Sequence, residues 1–349
     1  MRGIGILGVM LTHFAYPSLK AFGLGAFFEA VAWGMPMFFL LSGFLITGIL
    51  LEAREKPHYF RNFFVRRVLR IFPLYYGVLL VLFLIHPAWG RAAGGASSPR
   101  WLWLYASNIE MAVKDGWTYG YLSHFWSLAV EEQYYIFWPF IVLAVRPRRL
   151  LAVCAALGVF SFVLRIVLTA GSRNAIGAYV LTPCQLDPLA AGGALAVLVR
   201  QRPLERYRTL ARCFVIASLA IYFLFGWHRM GMMSRPLLVF RPLVSCFLFG
   251  GILLLAIGES GFFRSVLGAR PFTFLGKYSY GIYVFHHILV PVFRDGFPSG
   301  AIGRRIGSYL GGIAVSTLLS ILGSLVLAIA SYELYEKRFL RLKSRFGSA

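Results

Sequence analysis

The chain opens with Met1-Arg2-Gly3-Ile4-Gly5-Ile6-Leu7-Gly8-Val9-Met10-Leu11-Thr12-His13-Phe14-Ala15-Tyr16-Pro17. Read as a helix, this stretch carries Arg2 and His13 eleven residues apart, about 16 Å along the axis at a rise of about 1.5 Å per residue. That separation is close to three full turns, so both side chains project from roughly one face. In a hydrocarbon layer about 30 Å thick, His13 lies about two-thirds of the way through. A titratable group at that depth is expensive and faces a cavity or a partner. A hydrogen-bonded packing histidine is the plainer alternative.

The rest of the chain repeats the pattern. Of its 349 residues 59% are hydrophobic and 14% are charged, and the mean hydropathy is +0.71. Apolar runs of membrane-spanning length recur from end to end, which predicts an all-α polytopic membrane protein. No n-region, h-region and cleavage site stand apart at the start, so the first helix is part of the fold and not a removed signal. The net charge of +22 invites a nucleic-acid reading. The basic residues, however, punctuate the apolar runs instead of forming one stripe, as the positive-inside rule produces. Membrane lipids are therefore the expected surroundings, and nucleic acid is not an expected partner. Cys154, Cys184, Cys213 and Cys246 have no metal spacing and read as small packing residues.

Ten spans are expected, at about 3–19, 33–51, 69–86, 125–145, 150–170, 183–199, 213–227, 237–257, 278–293 and 306–330. With the N-terminus inside, the dense clusters (Arg54, Lys56, Arg61, Arg66 and Arg67; Lys337, Arg338, Arg341, Lys343 and Arg345) all fall inside. Sparser cations such as Lys20, Lys114, Arg173 and Arg229 fall outside. That asymmetry places both termini in the cytoplasm, and the plasma (inner) membrane is the expected location. Residues 1–349 read as a single transmembrane domain with no soluble domain left over. The longest loop, about 87–124, holds Ala92-Ala93-Gly94-Gly95-Ala96-Ser97-Ser98-Pro99 and then the aromatic patch Trp101-Leu102-Trp103-Leu104-Tyr105, which suits an outer interface or a re-entrant helix.

Several internal stretches carry chemistry. Ser42-Gly43, among large residues at the end of span 2, allows close helix contact. In the basic segment Tyr59 to Pro73, Arg67 and Arg70 are three apart and share a helical face. Two guanidiniums side by side make a fork for phosphate oxygens, although any inside loop rich in arginine also attracts anionic headgroups. His124-Phe125-Trp126-Ser127-Leu128-Ala129-Val130-Glu131-Glu132 puts Ser127 and Glu131 on one face at the start of an apolar helix, with Glu131 rather than Glu132 expected to face inward. Asp187 opens span 6 and could pair with Arg165 or serve an acceptor site. Arg241 in span 8 has no evident partner. Span 9 brings a second intramembrane histidine, His286.

Taken together, these residues resemble the acyltransferase-3 family of integral membrane O-acyltransferases over nearly the whole chain. The likeness rests on the Arg2/His13 spacing, the Phe38-Phe39-x-x-Ser42-Gly43-Phe44 run and the Arg67-x-x-Arg70 pair before Pro73. It continues through Trp126-Ser127-Leu128-x-x-Glu131, Ser279-Tyr280-x-x-Tyr283-x-x-His286 and Glu336-Lys337. The resemblance implies transfer of an acyl group, commonly acetyl, from cytoplasmic acyl-coenzyme A to a hydroxyl. The implied acceptor is a glycan or a glycoside: a cell-surface polysaccharide, a peptidoglycan unit or a glycosylated small molecule. It also implies that His13, Arg67 and Arg70 are essential. Arg338 stands where the family usually has proline, and Gln185 where arginine is common. The family usually has a few residues ahead of the helix-1 arginine, so either the start lies upstream of Met1 or that segment is missing. No hydrolase-like extension follows the last span, and a fused acyl-handling domain is not expected.

The chemistry asks for a phosphate grip, a base for the attacking hydroxyl and oxyanion stabilisation. Arg2, Arg67 and Arg70 are the expected donor grip. His13, Glu131 and Ser127 are the expected catalytic group, with His13 as base and Glu131 orienting or balancing the imidazolium. A transient acyl-imidazole on His13 is the open alternative. Trp126, His286 and Asp187 are the expected substrate contacts, and no metal is expected. The competing reading is a proton-coupled secondary transporter, which spans carrying His, Glu, Asp and Arg also describe. No pair of corresponding broken hydrophobic segments points to the internal repeat such carriers show.

Overall fold

The computed structural model describes residues 1–19, 34–95, 97–172, 174–225, 230, 233–258 and 261–346. Lys20, Ala96, Arg173 and Arg229, residue 33 at the start of span 2, and the 226–227 end of span 7 lie outside the described residues. Among those described, the long elements are α1 (Arg2–Phe14), α2 (Gly34–Ala53), α3 (Tyr59–Leu80), α4 (Trp126–Ala144), α5 (Pro147–Val167), α6 (Leu186–Gln201), α7 (Arg208–Leu224), α8 (Arg235–Ile257), α9 (Arg270–His286) and α10 (Tyr309–Ser331). Each overlaps one expected span, and the described residues contain no strand. Helix is what a bilayer demands of a spanning segment that is not a closed barrel, because every backbone polar group is then satisfied within the segment.

Seven helical segments are long and apolar enough to cross a membrane, those built on α2, α3, α5, α6, α7, α8 and α10. The protein is a multi-pass membrane protein. The helices outside that group, α1, α4 and α9, are the ones that carry His13, Glu131 and His286. Of the three, α1 and α9 are short, at 13 and 17 residues.

Two expected boundaries move. Span 3 begins at Tyr59 rather than about 69, because Tyr59, Asn62 and Phe63 bury one face while Arg61 and Arg70 stay exposed. The basic segment is thus the first half of a helix, and Arg67 and Arg70 project from inside it. Span 9 begins at Arg270 and ends at His286, so Lys277 also lies within a helix.

Small residues set the closest approaches. A Cβ on Gly43 would stand 1.9 Å from the Leu189 carbonyl oxygen of α6, and one on Gly192 would stand 2.0 Å from the Leu40 oxygen of α2. Between α1 and α9, a Cβ on Gly3 would meet the Phe272 oxygen at 1.9 Å. Packing of this kind holds helices together where lipid is as apolar as leucine. Across the α5/α6 contact, Arg165 makes a bidentate pair with Asp187 at 2.8 and 2.7 Å. The fully buried guanidinium also donates to the carbonyls of Cys184 and Val239. Removing one partner leaves the other charge buried and uncompensated. Asp187→Ala is therefore expected to lower the melting temperature in detergent, while the Michaelis constants of the surviving enzyme stay unchanged. A large rise in either constant at normal stability would return Asp187 to the substrate site.

The aromatic patch of the long loop is partly packed into the bundle. Leu102 and Tyr105 are buried, the Tyr105 ring stacks on Tyr75 at 4.1 Å, and the Tyr75 and Tyr76 hydroxyls donate to the carbonyls of Leu102 and Trp103 at 2.8 and 3.0 Å. The loop is clamped to α3 by bonds that satisfy its own backbone.

Candidate active site

Two cavities adjoin inside the bundle. The first, of about 650 Å³, is lined by Arg2 from the start of α1, Arg67 and Arg70 from α3, Ser42 from α2, Ser127 and Glu131 from α4, and Ser279 and Tyr280 from α9. Three guanidiniums face one carboxylate in it. The Arg67 guanidinium lies over the Tyr135 ring at 5.2 Å and near Phe63 at 5.8 Å, which holds its plane without using its donors. Glu131 accepts from Ser42 Oγ at 2.5 Å. Of the Ser42-Gly43 pair, the glycine serves packing and the serine serves the cavity. Arg70 also borders a neighbouring cavity of about 690 Å³ with Lys277, Tyr278 and Tyr332.

The second cavity, of about 850 Å³, is lined by His13, Thr12 and Val9 of α1, by Trp117, His124 and Trp126, and by Tyr179 and His287. Met35 and Tyr283 border both cavities. At that seam Tyr283 Oη donates to the His124 carbonyl at 2.6 Å and lies 2.5 Å from Ser127 Oγ. With the tyrosine proton engaged on a carbonyl, Ser127 is the donor to Tyr283.

His13 belongs to a cluster of four imidazoles. Its ring centroid is 5.0 Å from that of His286 and 4.4 Å from that of His287, and His124 is 5.2 Å from both of these. The hydrogen bonds order the protons. His286 Nδ1 is 2.7 Å from the Tyr283 carbonyl oxygen, which can only accept, so Nδ1 carries the proton. The uncharged ring then presents a lone pair at Nε2, which accepts from His13 Nδ1 at 2.9 Å. His13 Nε2 is left as the lone-pair nitrogen. Among the described residues, no group of three or more His, Cys, Asp and Glu is placed to hold a metal ion.

The structure gathers Arg2, Arg67, Arg70, Ser127 and Glu131 on one cavity, and His13 and Trp126 on the other. It places two expected substrate contacts elsewhere. Asp187 is tied to Arg165 and lines none of the described cavities. His286 is fully buried behind His13 and lines none either. The group bonded to His13 is this histidine, where the sequence suggested the Glu131 carboxylate. Arg241 lies over the Tyr179 ring at 5.3 Å, and Gln185, where arginine is common, donates to the Tyr179 carbonyl at 2.6 Å. Sequence reasoning missed His124, His287, Trp117 and Tyr179. The adjacency of His287 to His286, and the position of His124 at the head of the Trp126-to-Glu131 segment, were the available signals.

A family profile described as "Acyltransferase domain" matches residues 1–329. The chain belongs to the acyltransferase-3 family. With that, the carrier reading loses its support. Curated relatives include the "Putative peptidoglycan O-acetyltransferase YrhL" of Bacillus subtilis, 29% identical over 87% of this chain and 50% of its own length. The peptidoglycan O-acetyltransferase OatA of Listeria monocytogenes is 25% identical over 83% of this chain and 48% of its own. The O-acetyltransferase OatA of Staphylococcus aureus is 22% identical over 86% and 51%. The chain spans about half the length of the curated relatives it matches. No solved structure matches it.

Proposed function

We propose that residues 1–349 act as a single transmembrane acyltransferase domain of the plasma membrane, with both ends cytoplasmic. It transfers an acyl group, acetyl in the first instance, from cytoplasmic acyl-coenzyme A to a sugar hydroxyl of a cell-surface glycan. The family and the printed activities of its relatives support the reaction class. One structural observation carries the mechanism: a cationic cavity and a histidine cavity share a wall at Met35 and Tyr283.

Arg2, Arg67 and Arg70 suit the several phosphate charges of coenzyme A, and the pantetheine arm runs toward the seam. His13 Nε2 takes the proton of the acceptor hydroxyl as its oxygen attacks the thioester carbonyl. The tetrahedral intermediate expels the thiolate, which takes the proton back from His13, leaving an ester and coenzyme A. His286 holds His13 in the tautomer this needs, the service a carboxylate gives in a triad. Ser127 and Tyr283 line the seam, and either one would donate to the oxyanion only by giving up its bond to Tyr283 or to the His124 carbonyl.

Sidedness tests the reading. In sealed vesicles of one orientation, release of coenzyme A is expected only with acyl-coenzyme A on the cytoplasmic face and acceptor on the opposite face. Equal release with both substrates confined to the cytoplasmic face would overturn the cross-membrane arrangement and leave the acyltransferase standing. Proton-coupled solute uptake without acyl transfer would overturn both.

A further inference from the structure

The histidine cavity has walls that the reaction alone does not explain. Trp117, Trp126 and Tyr179 form a continuous aromatic surface, with Trp117 set edge-on to Tyr179 at 5.8 Å and Trp126 tilted against Tyr179 at 5.0 Å. The three come from separate parts of the chain: the loop before α4, the start of α4, and the short helix Ala175–Val180. Thr12, Ser123, His124 and His287 supply polar atoms to the same space.

An apolar occupant such as a lipid chain would set the polar atoms of Thr12, Ser123, His124 and His287 against hydrocarbon. A phosphate would find no arginine or lysine among the lining residues. A pyranose ring fits both features, since its C–H face packs on aromatic rings while its hydroxyls point outward to donors and acceptors.

We infer that this cavity is the acceptor subsite, and that Trp117 and Tyr179 are the platform that seats a pyranose ring and presents its hydroxyl to His13. The inference rests on the acyltransferase reading and adds the chemical class of its acceptor. Trp117 is 43% exposed, so its removal does not open the core. It could also sit there only as an interfacial anchor, as tryptophans at membrane boundaries do; the two roles differ in what a substitution changes.

The full chain in nanodiscs, with a soluble β-1,4-linked N-acetylhexosamine tetrasaccharide as probe, supplies the test. Binding is measured directly by calorimetry without a donor, and transfer is measured separately with acetyl-coenzyme A. Trp117→Leu and Tyr179→Leu are expected to weaken tetrasaccharide binding at least tenfold and to raise its KM by a similar factor. The KM for acetyl-coenzyme A and the rate with a small alcohol such as glycerol should not change. Trp117→Phe keeps a ring and should recover most of the affinity. Wild-type binding that the leucine variants retain would overturn the inference while leaving the acyltransferase reading intact, as would absence of wild-type binding in an enzyme that still acylates glycerol. Binding lost in the variants with no transfer by the wild type would uphold the subsite and overturn the reaction.

Discussion

His13→Ala is expected to lower acyl transfer by about 10²- to 10⁴-fold, the range that a positioned general base contributes, while the protein still inserts and accumulates normally. The imidazole is the one lone-pair nitrogen that the hydrogen-bond chain from the Tyr283 carbonyl through His286 leaves available. Alanine removes it without adding volume. Binding of acyl-coenzyme A should be little changed, because the arginines line the adjoining cavity rather than the one that contains His13. Turnover in detergent, with accumulation checked by fluorescence-detected gel filtration, reads both quantities. Retention of more than a few per cent of activity would move the base elsewhere, and His124 or His287, on the same cavity, would be the next residues to test.

Arg67→Ala is expected to raise the KM for acyl-coenzyme A by about ten- to a hundredfold, roughly 1.4 to 2.7 kcal/mol of lost donor binding. Arg67→Lys should recover only part of it. Lysine keeps the charge but not the planar fork, and it cannot lie over the Tyr135 ring in the same way. Were Arg67 present only to satisfy the positive-inside rule, lysine would serve equally well and the constant would not move. Arg66→Lys is the control. Arg66 itself donates to the Phe346 carbonyl at 3.0 Å and is not among the residues that line the cationic cavity, so the substitution should be nearly silent. A lysine variant at position 67 with unchanged kinetics would remove the phosphate grip from Arg67.

How much of this could be read along the chain depends on how far apart the relevant groups lie. Arg2 and His13 share a face because eleven residues make about three turns, and Arg67 and Arg70 share one because three residues make nearly one turn. Helical periodicity alone carries such relations, and so does the apolar length of each span. The proposed orientation rests on charge counts alone. The seam between the cavities is another matter. His13 meets His286 across 273 positions, Ser42 meets Glu131 across 89, and Trp117 meets Tyr179 across the loop and two helices. Asp187 looked equally suited to a substrate or to Arg165 until α5 and α6 were seen packed together. In a soluble protein the apolar stripe of each helix would have announced which face turns inward. In a bilayer lipid is as apolar as the protein core, so the stripe says little, and small residues at a few positions decide which helices meet and at what rotation. Gly3, Gly43 and Gly192 permit approaches that any side chain would block. Those contacts, made only in the assembled bundle, bring His286 behind His13 and turn Asp187 away from the site.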